Sequence, residues 1–322
     1  LGSGFGADSL RGSLNLVAQE FITPKKAFDP FSIKARLEHL PTSQNPLYRE
    51  FHLNSELAEA HLKGVFTMPD FISSFAHTVD NSIFLVRRKY HVIRDSLQAT
   101  TYNGLYRPRP ERLKPLDVEF VLKPHDLTIS RLFSGFAKIQ CIGDIRGAMQ
   151  GNTHDYTFRL DSSSRIDEFF YTDGFTQVNF ADTRLQASFH SVVSGDSLNV
   201  VAASARIRSD SVFRFNDFVF RRTTAEGDYR NNVFAFDVKS VWDDSLLAFY
   251  TKARLDMNTK DASFVLDSAW MLYRSNMEWS SIGKITSVLN KEGLLVENMA
   301  LRRPKAETVY LSGLVWFDHF SN

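Results

Sequence analysis

The sequence predicts a mainly β protein, an elongated and curved antiparallel sheet with one greasy face and an amphipathic helix inserted near residues 69–94. Three observations lead there. Apolar and polar residues alternate over long stretches, which puts one side of each strand in an apolar environment and the other in water. Turn signals separate these stretches every roughly 10–20 residues, the spacing of an antiparallel meander. Phenylalanine dominates the aromatic residues, 28 Phe against 4 Trp and 10 Tyr. A large ring without polar atoms suits a surface touching hydrocarbon and is equally an ordinary core residue.

In chain order, three regions emerge: short strands over 1–66, a helix-containing insertion and linker over 67–134, and a long antiparallel array over 135–322. Leu14 and Leu16 mark the first alternating piece, Phe31, Ile33, Ala35 and Leu37 a clearer one, then Phe51 with Leu53 and Ala60 with Leu62. Linkers carrying Pro24, Pro30, Pro41 and Pro46 separate them, as turn chemistry predicts. From Met68 the period changes. Phe71, Phe75, Val79, Ile83, Val86 and Tyr90 recur at three- and four-residue steps behind Pro69 and Asp70, the pattern of an amphipathic helix. Arg87, Arg88 and Lys89 suit its negative pole. Such a helix caps a sheet, or else lies against lipid or plugs a groove.

The run from Arg107 to Pro115 reads as a rigid basic connector, and a short helical piece is expected around Leu127 to Phe133. Gly143, Gly147 and Gly151 fall four residues apart among alternating apolar residues, as in a strand that curves over a packed element. Beyond Tyr156 the pattern is strand after strand, with turns expected at Asp173-Gly174, Ser194-Gly195-Asp196 and Glu226-Gly227-Asp228. The clearest stretch is 231–257. Phe234, Phe236 and Val238 alternate with polar neighbours, Asp243-Asp244-Ser245 signals a turn, and Leu247, Phe249, Ala253, Leu255 and Met257 resume the alternation. That second strand is about 11 residues long, against the usual 5–6.

Composition excludes several classes. A net charge of +1 gives no field that implies a nucleic-acid partner. One cysteine, Cys141, excludes an internal disulfide framework and a cysteine-rich zinc site. No apolar run approaches the ~18 residues of a membrane helix. The opening Leu1-Gly2-Ser3-Gly4, without an initiator Met, points to an internal fragment of a longer chain. Catalytic constellations are also missing from the sequence: there is no G-x-S-x-G elbow, no H-E-x-x-H helix and no phosphate loop. The nine histidines are scattered, none pairing with another at metal-ligand spacing; His125, His154 and His190 read as surface residues. The expectation is a non-enzymatic protein without catalytic residues, metal or cofactor.

The order of elements resembles the AsmA-like/TamB family of cell-envelope proteins. Three stretches carry the resemblance: the helix at Pro69–Tyr90 followed by the strand Val118–Leu122, the glycine-punctuated segment Gly143–Gly151, and the run Ala269–Ile285 continuing through Gly293–Leu301 to Leu311-Ser-Gly313. The resemblance implies a U-shaped, repeating β-groove with a hydrophobic interior, beginning in residues 1–66. It implies a periplasmic, cell-envelope location within a parent chain anchored in the inner membrane. It further implies carriage of phospholipid acyl chains between inner and outer membranes, or support of outer-membrane protein assembly. The partner for the latter would be an outer-membrane assembly barrel protein met through other regions of the parent chain.

Alternation assigns Phe158, Leu185, Phe189, Phe234, Phe236, Leu247, Phe249 and Leu255 to the greasy, lipid-binding face. Two other readings fit the same alternation: an outer-membrane β-barrel, and a structural or adhesive β-solenoid or sandwich whose apolar face is filled by its own side chains.

Overall fold

Alternation becomes long strands. In the computed structural model the described residues are 2–3, 11–19, 21–23, 26–28, 31–40, 44–74, 115–125, 138–152, 155–172, 177–194, 197–216, 218–242, 247–258, 262–273, 277–289, 293–303 and 308–316. Among them are twenty strands and one short helix at 68–74. The protein is mainly β, and every described ladder is antiparallel. The chain forms two compact units, one of residues 1–75, 110–199 and 213–217, the other of 76–109, 200–212 and 218–322.

The first unit holds β1 (Gly2–Ser3), β2 (Arg11–Ala18), β5 (Phe31–His39), β6 (Tyr48–Ser55), β7 (Ala58–Val65), β8 (Leu116–Pro124), β9 (Lys138–Gly151), β10 (Asp155–Thr172) and β11 (Gln177–Ser194). β3 (Phe21–Thr23) and β4 (Lys26–Phe28) form a separate two-stranded piece. From β1 each of the nine pairs with the next named, ending at β11. β10 and β11 have 18 residues each, about 60 Å at the usual rise. β12 (Ser197–Phe215) follows. The second unit contains β13 (Phe218–Arg230), β14 (Val233–Trp242), β15 (Leu247–Asp256), β16 (Ala262–Tyr273), β17 (Met277–Ser281), β18 (Ile285–Leu289), β19 (Gly293–Arg302) and β20 (Thr308–Trp316). β13 to β16 pair in order, β17 and β18 divide the next edge of β16 between them, and both pair with β19, which pairs with β20.

Sequence signals and structure meet at particular residues. The helix begins where expected: the Thr67 hydroxyl accepts from the Asp70 backbone N–H at 3.2 Å, capping its first turn. Residues 75–94 of the expected helix lie outside the described residues, as do 107–114, the piece at 127–133, the Asp173-Gly174 and Asp243–Ser245 turns, Gly195-Asp196 and His154. Beyond Tyr156 the strands run long: the alternating stretches Leu198–Ile207 and Phe213–Phe215 are both parts of the 19-residue β12.

One expected turn is corrected. Glu226-Gly227-Asp228 lies inside β13, opposite Asp237, Phe236 and Ala235. Gly227 supplies space, since a Cβ there would sit 3.3 Å from the Phe234 ring. The turn comes four residues later, at Asn231-Asn232, between the paired Arg230 and Val233. Both asparagines have left-handed backbone, φ 52° and 60°, as a two-residue hairpin turn with the twist of its strands requires. The Tyr229 hydroxyl donates to Asn232 Oδ1 at 2.9 Å, and the Met257 N–H to the Asn232 carbonyl at 2.9 Å. Asn232→Val is expected to cost about 1–3 kcal/mol, because a β-branched residue resists this φ. Denaturant midpoints should fall in the order wild type, Asn232→Gly, Asn232→Val, glycine losing only the side-chain contacts; a valine variant as stable as wild type would remove the turn from the set of register-fixing elements.

Candidate functional site

In the first unit, apolar side chains line up across strands as well as along them. Leu37, Phe51, Leu62, Phe120, Gly147, Leu160 and Ala187 are successive direct partners from β5 to β11. The next row runs Gly64, Val118, Met149, Phe158, Phe189. Phe120 stacks on Phe158 with centroids 6.1 Å apart and meets Phe71 of the helix edge-on at 6.0 Å. The Tyr156 hydroxyl donates to the Ser74 carbonyl at 3.4 Å. Val118, Met149, Tyr156, Phe158 and Phe189 are all buried. Here protein itself occupies the greasy face. Toward β2 it opens, with Leu14 and Leu16 exposed.

Bulges preserve this face along strands too long for unbroken alternation. One extra residue enters β10 between Ile166 and Glu168, and Asp182 on β11 turns left-handed at φ 47°. Both strands change phase together, so Phe169 lies opposite Cys141 and Phe180. Phe169 and Phe180 stack at 4.6 Å, and Phe180 lies 6.0 Å from Phe213. On the other side Arg165 binds Asp167 at 2.8 Å and Asp182 at 2.5 Å. Phe169, Phe180 and Phe213 therefore join the face, none of them among the eight residues that alternation assigned to it.

The second unit repeats the plan. Phe234 is opposite Leu255, Phe236 opposite Ala253, and Ser240 opposite Phe249, with no register shift between β14 and β15. Leu247 and Phe249 face Tyr273 and Met271 of β16, and Met271 faces Trp279 of β17. Beyond a bulge at Lys252/Ala253, Leu255 faces Phe264 and Leu266 faces Ile285 of β18. Phe236 lies 5.8 Å from Phe234 and 6.3 Å from Phe264, spanning the small, buried Ala253. Phe249 meets Phe220 edge-on at 6.0 Å. Most of these side chains are half-buried, and Phe234 and Met271 are 39% and 38% exposed.

All eight residues assigned from alternation thus lie on the apolar face of their own unit. They fall into two environments: Phe158 and Phe189 are buried beside the helix end of the first unit and Leu185 is half-buried, while the five of the second unit line a partly open surface.

The opposite face is charged. Arg and acidic residues two apart on one strand pair along it: Arg36 with Glu38 at 2.6 Å, Asp144 with Arg146 at 2.7 Å, Arg159 with Asp161 at 3.3 Å. The hydrogen bond from Arg146 holds the Asp144 carboxyl below its ordinary range. These pairs are solvent-exposed, so each contributes little stability; they keep this face wet. His190, expected to be solvated, contacts Asp155 at 3.0 Å on this polar side.

Chemically, the apolar face offers area rather than reactive groups. Cys141 is buried within it, and burial pushes its thiol pKa up, away from the nucleophilic thiolate. Only one described group of side chains has a metal-ligating arrangement, Glu50, His52 and His61 on the polar face. Sequence spacing conceals it because the two histidines meet across the β6–β7 hairpin. No helix among the described residues is long and apolar enough to cross a membrane.

A mainly β, antiparallel architecture with an amphipathic sheet surface is the class this geometry defines. Comparison with models of known protein families, with characterised proteins and with solved structures gives no match.

Proposed function

We propose that the apolar sheet face binds acyl chains, and that this protein is a non-enzymatic β-groove segment carrying phospholipid within a cell envelope. The carrying observation is the half-exposed aromatic surface of the second unit, Phe234, Phe236, Phe249 and Phe264 with Leu247, Leu255 and Met271. Side chains without hydrogen-bonding groups, spread over several strands, match a ligand that is a hydrocarbon chain. Each methylene sheltered there gains about 0.8 kcal/mol, so affinity accumulates along a chain without a discrete pocket. The charged opposite face leaves one side of each strand in water.

The motif resemblance to the AsmA-like/TamB family supports the same direction. It adds a periplasmic location, an inner-membrane-anchored parent chain, transfer between two membranes, and support of outer-membrane protein assembly through a partner barrel. Each is a proposal resting on that resemblance. A second reading has its own support in the first unit, where Phe71 meets Phe120, Phe120 stacks on Phe158 and Tyr156 binds the Ser74 carbonyl: a face filled by its own protein.

A photo-crosslinking amino acid at position 234 or 249, in cells and in phospholipid vesicles, separates the two. Lipid adducts at both positions, absent from Lys252 on the polar face, are expected, with phospholipid retained in native mass spectrometry. Adducts only to protein, and a lipid-free mass, would favour the self-filled sheet.

A further inference from the structure

We propose that Glu50, His52 and His61 form a three-ligand site for a divalent transition-metal ion of the zinc class. Strand alternation places Glu50 and His52 on one face of β6, and hairpin register sets His61 of β7 directly opposite His52. The imidazoles stack with centroids 4.4 Å apart and planes 13° from parallel. Nε2 of His61 lies 2.8 Å, and Nε2 of His52 3.3 Å, from the same Glu50 Oε1. Every ligand atom of the three is within 4.8 Å of the others.

These separations suit a small ion. Tetrahedral zinc with bonds of about 2.0–2.1 Å holds its ligands about 3.3 Å apart, close to both nitrogen–oxygen distances, and binding would turn the stacked imidazoles out of parallel so that both Nε2 lone pairs meet the ion. Two nitrogens and a carboxylate oxygen select a zinc-class ion over calcium or magnesium, which prefer all-oxygen shells. Three protein ligands leave a position for water or another donor.

Local charge permits the ion. Arg36, opposite His52, is occupied by Glu38 at 2.6 Å, and Glu38 itself lies opposite Glu50. Lys63, on Glu50's other side, lies opposite Glu119 of β8, and Arg146, which borders the same recess as His61, is held by Asp144 at 2.7 Å. Each of these cations has a carboxylate beside or opposite it, and the three ligands sit on regular strands, which hold them in place better than loops do. The site lies on the reverse side of β6 from Phe51 and Leu53, so nothing in it depends on what occupies the apolar face.

The test is titration of the chelator-treated 322-residue chain with zinc chloride by calorimetry, and with cobalt(II) by visible absorption. One equivalent of zinc and the bands of a four-coordinate cobalt ion are expected. His52→Ala, His61→Ala and the near-isosteric Glu50→Gln should each weaken binding about tenfold or more. His190→Ala, remote on another strand pair, should leave it unchanged. Absence of a zinc equivalent in the wild-type chain would overturn the site whatever the variants do. Undiminished binding by the His52→Ala/His61→Ala double variant would overturn it equally. Circular dichroism checks that the strands persist.

Discussion

Gly147→Val is expected to destabilise the first unit by about 3 kcal/mol, the upper part of the range for forcing extra volume into a packed interior. Gly147 lies directly between Phe120 of β8 and Leu160 of β10. A Cβ there would sit 2.6 Å from Phe120 Cζ and clash with the backbone oxygen of Arg159. The Phe120 ring cannot swing freely, since Phe158 stacks on it and Phe71 meets its edge. The backbone oxygen cannot yield without breaking the β9–β10 ladder. Urea unfolding of Gly147→Val against wild type measures the loss. Phe120→Leu in the same chain should restore only part of it, because the backbone clash remains. A valine variant within half a kcal/mol of wild type would show that this glycine is not what lets the aromatic row close.

Phe249→Asp in the second unit is expected to reduce phospholipid binding about a hundredfold while leaving the strands intact. A carboxylate needs its water, so an acyl chain passing it must leave several methylenes uncovered; about four of them amount to ~3 kcal/mol, or two orders of magnitude. Phe249 is half-buried and has Phe220 edge-on as aromatic neighbour, so the strand tolerates the change better than the buried row of the first unit would. Leu247→Asp, two residues along the same face, should act alike. Lys252→Gln on the polar face should have no effect. Retained lipid, quantified after purification from the same cells, is the readout. Lipid content unchanged in Phe249→Asp would remove this surface from the lipid path.

Much of the fold was legible because its signals are local. The alternation over 231–257 placed Phe234, Phe236, Leu247, Phe249 and Leu255 on one side, and β14 and β15 pair without a shift, so no later event could reverse the assignment. Glu226-Gly227-Asp228 misled because a glycine between charges is good turn chemistry, whereas here it makes room beside the Phe234 ring. Asn231-Asn232 held the true turn signal. Phe169, Phe170 and Tyr171 are consecutive, so period-two reading could not choose among them until the bulge fixed the phase. The Arg and acidic pairs two residues apart were a further readable sign of the wet face, visible at Arg36/Glu38, Asp144/Arg146 and Arg159/Asp161.

The sequence by itself determined that this chain makes long two-faced antiparallel strands, because the side-chain period of an extended backbone is a property of neighbouring residues. Tertiary structure alone decided which residues meet across those strands. Register depends on turns and accumulates through bulges, and no short window contains that history. It placed Phe120 over Gly147, joined Phe169 to Phe180, set His52 against His61, and left the greasy face closed beside Phe71 but half-open around Phe249.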